Sequence, residues 1–556
     1  MAGPVSPQFT PKIFTVLSSG YTRADFKSDL IAGLTVAIVA LPLAMALAIA
    51  SGASPDKGLV TSVIAGFLIS FFGGSRVQVG GPTGAFVVVV FNVIAAHGYD
   101  GLLLATLTAG IMLIIAGYAR VGMMIKFVPY PVVTGFTAGI AVIIASSQVK
   151  DFLGLRIDKV PADFVPKWLS YFEHMDTLDL WTLIVGLLSL GMIIVLRKKA
   201  PKLPGYLIAV VIASVLVALF GIPVETIGSR FPNIPSGLPM PELPAFSFEK
   251  FKDIVPSAFT IAFLAGIEAL LSAVVADGMT GFKHRSNQEL VGQGVANVAS
   301  ALFGGLPATG AIARTATNIR SGAKSPISGM MHSVFLLIFM MVASGVMKYV
   351  PMAALAAILF MVAWGMSEIR HFIHIFKLSR SDRTVMILTF ALTVLVDLTV
   401  AIGVGVTLAC LMFMMQMSKS VEIASRRASP DDEDQRLSLP KDVEVFRING
   451  PIFFGVSGDL IDTLKRMGQM PKVLIVRMKL VPFLDTSGVS AIENIIKICK
   501  SSGTTVIISG LQRQPQGILS RLNLGEGIMI TNDYEEALKQ AREITEPGLS
   551  EVVQEA

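Results

Sequence analysis

The chain has 556 residues, 53% of them hydrophobic and only 15% charged, against roughly 25% charged in an ordinary soluble domain, which excludes a wholly soluble protein. The net charge of +6 is uneven: from Ser418 onward 17 basic residues meet 19 acidic ones, which leaves a net of +8 to the part before it. That part is where cytoplasmic loops of a membrane protein hold their positive charge, so the basic balance points to anionic lipid rather than nucleic acid.

Residues 1–28 are polar and carry Pro4, Pro7 and Pro11. They lack the basic-then-apolar plan of a cleaved signal peptide and are expected to stay attached, on the cytoplasmic side. Between 29 and 417 apolar runs recur with hardly a charge inside them, each near the ~20 residues that cross a bilayer. Seven predicted spans lie near 29–50, 58–73, 84–96, 101–118, 129–154, 179–196 and 203–220. Seven more lie near 255–277, 288–304, 310–322, 326–348, 351–366, 383–396 and 399–417. The proline-rich stretch 222–252 joins the two sets and cannot be helical throughout. The fold class read from this pattern is a polytopic α-helical membrane protein, 29–417, of two repeats at about 29–220 and 255–417.

Gly81-Pro82-Thr83-Gly84-Ala85-Phe86 opens the third span, and Pro307-Ala308-Thr309-Gly310-Ala311-Ile312 opens its counterpart in the second set. Both spans are too short to cross alone. Seven is odd, so the second repeat enters in the opposite orientation, and the two short helices are expected to start near the midplane facing one another. Backbone N–H groups at two such starts make an anion site without a charged side chain. Gly81, Gly84 and Gly310 let the backbone approach a ligand, Thr83 and Thr309 offer hydroxyls, and Ala311 adds its amide. The rival reading is tight helix packing, a common use of Gly and Thr in membranes.

Two charges stand inside predicted spans. Arg314 lies about a turn into the later short helix and is costly unless it faces a cavity or a partner; its fork suits carboxylate or sulfate, and the alternative is snorkelling at an interface. Glu268, in Ala262-Phe-Leu-Ala-Gly-Ile-Glu, can carry a proton across or simply neutralise Arg314. Asp277, with Thr280, His284 and Arg285, is expected at a membrane edge, and Asp397 at a turn; both read as structural. From 366 to 383 charges alternate with Ile369, Phe372, Ile373 and Phe376, the pattern of an interfacial amphipathic helix.

Past 417 the composition shifts. A linker, 418–440, contains the charged run Ser425-Arg-Arg-Ala-Ser-Pro-Asp-Asp-Glu-Asp and is expected to be flexible. A small α/β domain follows over 441–546, with a tail at 547–556. Its predicted strands are 443–448, 473–478 and 505–509 and its predicted helices 461–467, 490–499 and 534–544, which make a parallel or mixed sheet. Cys410 and Cys499 differ in setting, so no disulfide is expected, and the histidines lack metal spacing.

The sequence resembles the sulfate permease (SulP) family, which includes the solute carrier 26 anion transporters. The likeness rests on Ala32-Gly-Leu-Thr-Val-Ala-Ile-Val-Ala-Leu-Pro-Leu-Ala-Met-Ala, Gly80-Gly-Pro-Thr, Ser286-Asn-Gln-Glu-Leu-Val-Gly-Gln-Gly and 308–326. It implies seven-plus-seven inverted repeats, a core domain sliding like an elevator against a gate domain, and a homodimer. The tail domain resembles the sulfate transporter and anti-sigma factor antagonist (STAS) domain, in which Asp485-Thr486-Ser487-Gly488 takes the place of an Asp-Ser-Ser-Gly turn. Ser487 then matches a serine phosphorylated in soluble relatives, with an N-cap role as the alternative. In proton-coupled members the proton carrier maps to Glu268 and the residue facing the anion to Arg314. Sodium-coupled bicarbonate members resemble the chain less there, having aspartate at the first position and no arginine at the second. Pro42-Leu43 departs from the Pro-Gln of many members and removes one polar contact. Val362-Ala-Trp-Gly-Met-Ser-Glu and Ala323-Lys-Ser-Pro-Ile-Ser resemble the bacterial C4-dicarboxylate transporters of the family.

The function expected from the sequence is therefore proton-coupled secondary transport of succinate, fumarate or a related dicarboxylate, with sulfate or bicarbonate next. No enzyme activity and no cofactor beyond the coupling proton are expected; sodium is the lesser candidate. The expected location is a bacterial inner membrane, with the STAS domain in the cytoplasm, where it can meet a protein partner. A membrane-tethered STAS regulator and an uncoupled anion channel are the readings from other classes. The absence of a P-loop argues against ATP as the driving force.

Overall fold

The computed structural model describes residues 9–123, 128–158, 160–161, 163–200, 203–232, 237–396, 398–425, 439–466, 469–521 and 528–546. In chain order the first repeat contains α1 (Arg23–Ala50), α2 (Pro55–Phe72), the two-residue strand β1 (Gly80–Gly81), a 3-10 turn (Gly84–Phe86) running into α3 (Val87–Tyr118), α4 (Tyr130–Ser147), α5 (Leu180–Lys199) and α6 (Gly205–Phe220). The second contains α7 (Phe248–Thr280), α8 (Ser286–Leu302), β2 (Thr309–Gly310), α9 (Ile312–Arg320), α10 (Ile327–Met347) and α11 (Met352–Met366). It closes with α12 (Ile369–Lys377), α13 (Arg380–Leu395) and α14 (Leu398–Lys419). Eight helices among the described residues are long and apolar enough to cross a membrane, and shorter apolar ones lie at Gly205–Phe220 and Ile327–Val342.

Local chemistry sets the ends of these helices. Thr22 and Asp25 form a capping box before α1, with Thr22 Oγ1 accepting from Asp25 N at 3.2 Å and Asp25 Oδ2 accepting from Thr22 N at 3.0 Å. Asp179 caps α5 by accepting from Thr182 N at 2.9 Å. The expected spans 84–96 and 101–118 form one continuous element, broken by Gly98 at φ 72°, ψ 179°. The first short helix is therefore the portion before Gly98. Its counterpart α9 has nine residues, about 14 Å of helix against the ~30 Å of a hydrocarbon core.

The helices sort into two packed groups. In one, α3 packs on α7 and α8, and α10 packs on α1 and α2. In the other, α4 packs on α13 and α11 on α5, with α6 beside α5. The pairs are related by the repeat: α3 with α8 corresponds to α10 with α2, and α4 with α13 to α11 with α5. These are the core and gate groups of the seven-plus-seven inverted-repeat fold expected from the sequence. Close approach depends on small residues: Gly110 and Gly294 face each other across α3 and α8, and an added methyl at Gly110 would sit 2.7 Å from the Gly294 carbonyl.

Among the described residues of the proline-rich joint, a four-residue helix, Ile227–Arg230, is the one helix before α7 begins at Phe248. Arg230 ties it down through Nη2 to Asp151 Oδ1 at 2.7 Å. The charged stretch after Met366 is helical as expected, over Ile369–Lys377, entered through Glu368 at φ 41°.

A second compact unit comprises Cys410–Ala556. Its sheet has the order β3-β4-β5-β6-β7, built from Glu422–Ser425, Val443–Asn449, Val473–Leu480, Thr505–Ser509 and Ile528–Thr531. Only β3 runs antiparallel. Helices α15 (Ser457–Lys465), α16 (Thr486–Ser501) and α17 (Arg513–Leu519) cover one face, and α18 (Tyr534–Thr545) covers the other. The sequence reading missed β3, β7 and α17, each seven residues or shorter, and β3 lies inside the stretch expected as linker. The flexibility expected of the linker concerns 426–438, outside the described residues, as do Asp397 and the tail at 547–556.

Candidate functional site

The two short helices meet through a two-rung antiparallel ladder, Gly80 opposite Gly310 and Gly81 opposite Thr309. Side chains and one backbone amide of the second repeat fix this ladder. Val79 N donates to Thr315 Oγ1 at 3.1 Å, Ala311 N to Val79 O at 2.9 Å, and Asn318 Nδ2 to Val77 O at 2.9 Å. Asn297 brackets Ala308, accepting from its N at 2.9 Å and donating to its O at 2.8 Å. Beyond the ladder the chains diverge into helix at Gly84 and at Ile312, so two helix N-termini flank it. Gly310 leaves room for the Gln78 side chain: a methyl there would collide with the Gln78 amide, which would have to move.

Arg314 comes from the first turn of α9 and is 3% exposed. Its Nη2 donates to Pro82 O at 3.0 Å, and its Nε and Nη1 have no partner in the protein. The guanidinium lies across Gly81, whose φ of +148° and missing side chain both permit the approach; a methyl at Gly81 would run into Nη1. Snorkelling to an interface is thereby excluded for Arg314.

Glu268 of α7 reaches the same place. Its Oε2 accepts from Thr83 Oγ1 at 2.7 Å, which joins the second repeat's acid to the start of the first repeat's short helix. Glu268 makes no ion pair with Arg314 within 4 Å. The reading in which Glu268 only neutralises the arginine by direct contact is not the observed arrangement.

Not every expected ligand hydroxyl points to a ligand. Thr309 is fully buried and donates Oγ1 to Ala265 O at 2.8 Å, which pins β2 to α7. Thr83 likewise directs its proton to Glu268. Both threonines act on the scaffold here, because a buried hydroxyl takes the nearest acceptor. Gly84 faces the other helix group, and a methyl there would lie 2.6 Å from Met366 Sδ of α11 and 3.1 Å from Ile144 Cδ1 of α4. Ala311, 8% exposed, is the N-cap of α9. Ser487 is partly buried as the second residue of α16, and the N-cap is Asp485, whose Oδ1 accepts from Gly488 N at 2.7 Å. The N-cap role considered for Ser487 is therefore filled by its neighbour.

Two buried carboxylates that tie the repeats together were missed from sequence. Glu289, fully buried on α8, accepts from Gly74 N at 2.8 Å and Ser75 N at 2.9 Å, and its Oε1 accepts from Gln293 Nε2 at 2.7 Å. Asp29, also fully buried, accepts from Lys324 N at 2.6 Å, Ser325 N at 3.1 Å and Tyr21 OH at 2.8 Å. Each carboxylate joins the two repeats across more than 200 positions, and no local pattern announces such a pair; an acid inside an apolar run was the one available signal. Asp277 keeps its structural reading, accepting from His284 N at 2.9 Å and lying 2.7 Å from His284 Nδ1.

Comparison with known proteins adds the following. Residues 26–389 match the model of the sulfate permease family, and 437–537 match that of the STAS domain. The chain is 43% identical over 510 residues to the "Putative sulfate transporter YvdB" of Bacillus subtilis (strain 168), covering 91% of this chain and 95% of that one. It is 32% identical over 547 residues to the bicarbonate transporter BicA of Picosynechococcus sp., covering 93% and 95%. Among solved structures it matches the transmembrane domain of a cyanobacterial BicA at a TM-score of 0.62 and 30% identity, covering 70% of this chain and 98% of that one. It matches SLC26A9 at a TM-score of 0.83 and 18% identity, a likeness of fold, covering 96% and 93%.

Proposed function

Since the chain belongs to the sulfate permease family and is an anion transporter of that family, we propose that it carries out proton-coupled secondary transport of a small inorganic oxyanion, sulfate before bicarbonate. The observation that carries this reading is Arg314, buried between two helix N-termini with two guanidinium nitrogens, Nε and Nη1, unpartnered. A tetrahedral oxyanion fits such a fork, and the flanking N-termini add to the attraction. The names of YvdB and BicA favour an inorganic substrate and lend no support to the C4-dicarboxylate expected from the sequence. Arg314 ranks sulfate ahead of bicarbonate, since sodium-coupled bicarbonate members lack an arginine at that position.

Glu268 is the coupling residue in this reading. A sulfate dianion against Arg314 carries one net negative charge when Glu268 is protonated and two when it is ionised. Taking up a proton with the anion therefore lowers the cost of moving the loaded core through the bilayer. Proton release from Glu268 on the far side frees the anion by repulsion, and Thr83 reports the change to the short helix. The core group slides against the gate group, with two copies of the chain side by side and the soluble unit in the cytoplasm of a bacterial cell.

The test is uptake of labelled sulfate into proteoliposomes under an imposed inward proton gradient, with bicarbonate, succinate and sodium in separate arms. Uphill sulfate uptake that needs the proton gradient is expected. Folded protein that accumulates succinate and not sulfate, or that needs sodium in place of protons, overturns the corresponding half of the proposal.

A further inference from the structure

The hydroxyl of Ser62 belongs to none of the features used above. Ser62 lies midway along α2 and is 0% exposed. Buried serines and threonines of the spans ordinarily satisfy themselves on the carbonyl one turn back. Thr61, its neighbour, donates Oγ1 to Lys57 O at 2.6 Å, Ser51 donates Oγ to Leu47 O at 2.7 Å, and Thr106 donates Oγ1 to Leu102 O at 2.8 Å. Ser62 Oγ makes no such bond and has no hydrogen-bond partner among the described residues. The backbone that carries it is nevertheless fixed, since Ser62 O accepts from Ser333 Oγ of α10 at 3.0 Å.

This hydroxyl faces the ladder and the arginine. Gly66, one turn further along α2, lies against β1, and a methyl there would sit 3.1 Å from Gly80 O. A methyl on Gly81 would sit 3.3 Å from Ser62 Oγ and would also run into Arg314 Nη1. Two buried polar atoms without a protein partner, one from each repeat, therefore border the same spot. An oxygen that accepts from two donors at ~2.8 Å each joins atoms up to about 5.6 Å apart, and two atoms bordering one methyl-sized spot fall within that reach. Both groups can donate there: a guanidinium nitrogen does nothing else, and the Ser62 proton has no other acceptor.

We propose that Ser62 is a further anion-binding residue of the transport site, donating its hydroxyl to the oxyanion oxygen that Arg314 Nη1 also holds. The inference rests on the reading of Arg314 as the residue that faces the anion, and it adds α2 to the elements that touch the substrate. A buried hydroxyl kept from every protein acceptor costs stability, and an anion oxygen is the acceptor that offsets this cost.

The experiment is a double-mutant cycle of Ser62→Ala and Arg314→Ala in the full-length protein, read by calorimetric titration with sulfate and by thermal unfolding in sulfate-free buffer. Ser62→Ala is expected to weaken sulfate about tenfold, the scale of a hydrogen bond to a charged group. It should leave the unfolding temperature equal to or above that of the wild type, because the hydroxyl it removes has no protein partner. In the Arg314→Ala background the same substitution should weaken sulfate about twofold or less, since the shared oxygen is no longer held there. Wild-type affinity in Ser62→Ala, with Arg314→Ala weakened, overturns the role of Ser62 and leaves that of Arg314 standing. Lost affinity together with a lowered unfolding temperature assigns Ser62 to the packing of α2 and overturns the proposal, as does an equal loss in both backgrounds. Unchanged affinity in Arg314→Ala overturns the reading on which the proposal rests.

Discussion

Glu268 and Arg314 sit at one place without touching, and their separation is what makes their roles separable by mutation. Glu268→Gln keeps a hydrogen-bond acceptor for Thr83 and removes the titrating proton. We expect it to abolish uphill uptake under a proton gradient while sulfate binding, read by calorimetry, changes less than about threefold, within the scale of a neutral hydrogen-bond change. Full proton-driven accumulation by that variant would end the coupling role. The wild-type uptake rate should rise as external pH falls, since protonation of the acid accompanies loading, and the variant's profile should be flat. Arg314→Ala removes the fork and should weaken sulfate by about tenfold to a hundredfold, the range for a lost charge-assisted contact; an unchanged affinity removes Arg314 from the site. Both residues were legible from sequence because a charge inside an apolar run is costly. The protein partners of Thr83 and Thr309 were not, because which acceptor a buried hydroxyl finds depends on a helix far away in the chain.

At the scale of elements, the two-rung ladder matters more than its length suggests. It fixes where both short helices begin, and the glycine at 310 lets Gln78 pack in the space a side chain there would take. Gly310→Ala is expected to lower the unfolding temperature and sulfate affinity together, by an overpacking cost of about 1–3 kcal/mol. Adding Gln78→Ala should restore much of the loss, since it removes the obstructing amide; no rescue in a thermal-shift assay would mean that the ladder is not limited by this contact. Glu289 makes a companion case. Its carboxylate satisfies the amides of Gly74 and Ser75 at the end of α2, so Glu289→Ala leaves buried donors unpaired and should cost about 3 kcal/mol or more. A Glu289→Ala protein with wild-type thermal stability would contradict that. The echo between the two short-helix motifs was readable, because both halves need the same small residues; the tie at Glu289 was not, because its partners are backbone groups of the other repeat.

For the whole molecule, the chain divides into Met1–Ala409 and Cys410–Ala556, and each unit has its own core. Cys499 reports on the second: burial against that core pushes its thiol up to about 11. At pH 7.5 it is therefore overwhelmingly protonated as well as enclosed. A maleimide should leave Cys499 unmodified in native protein and label it only when the soluble unit unfolds, as mass mapping of the tryptic peptide would show; rapid native labelling would refute the packing around α16. Hydropathy, span count and the odd number of spans per repeat settled the membrane fold, the inversion and the α/β class of the tail, because each follows from burial of apolar side chains at a local period. Tertiary structure alone decided that two distant glycine motifs form one ladder and that Arg314 lies across Gly81 instead of reaching an interface. It alone decided that Asp29 and Glu289 bind the repeats together. These are contacts between residues far apart in sequence, and their partners are chosen by how the helices and strands pack, which no local pattern encodes.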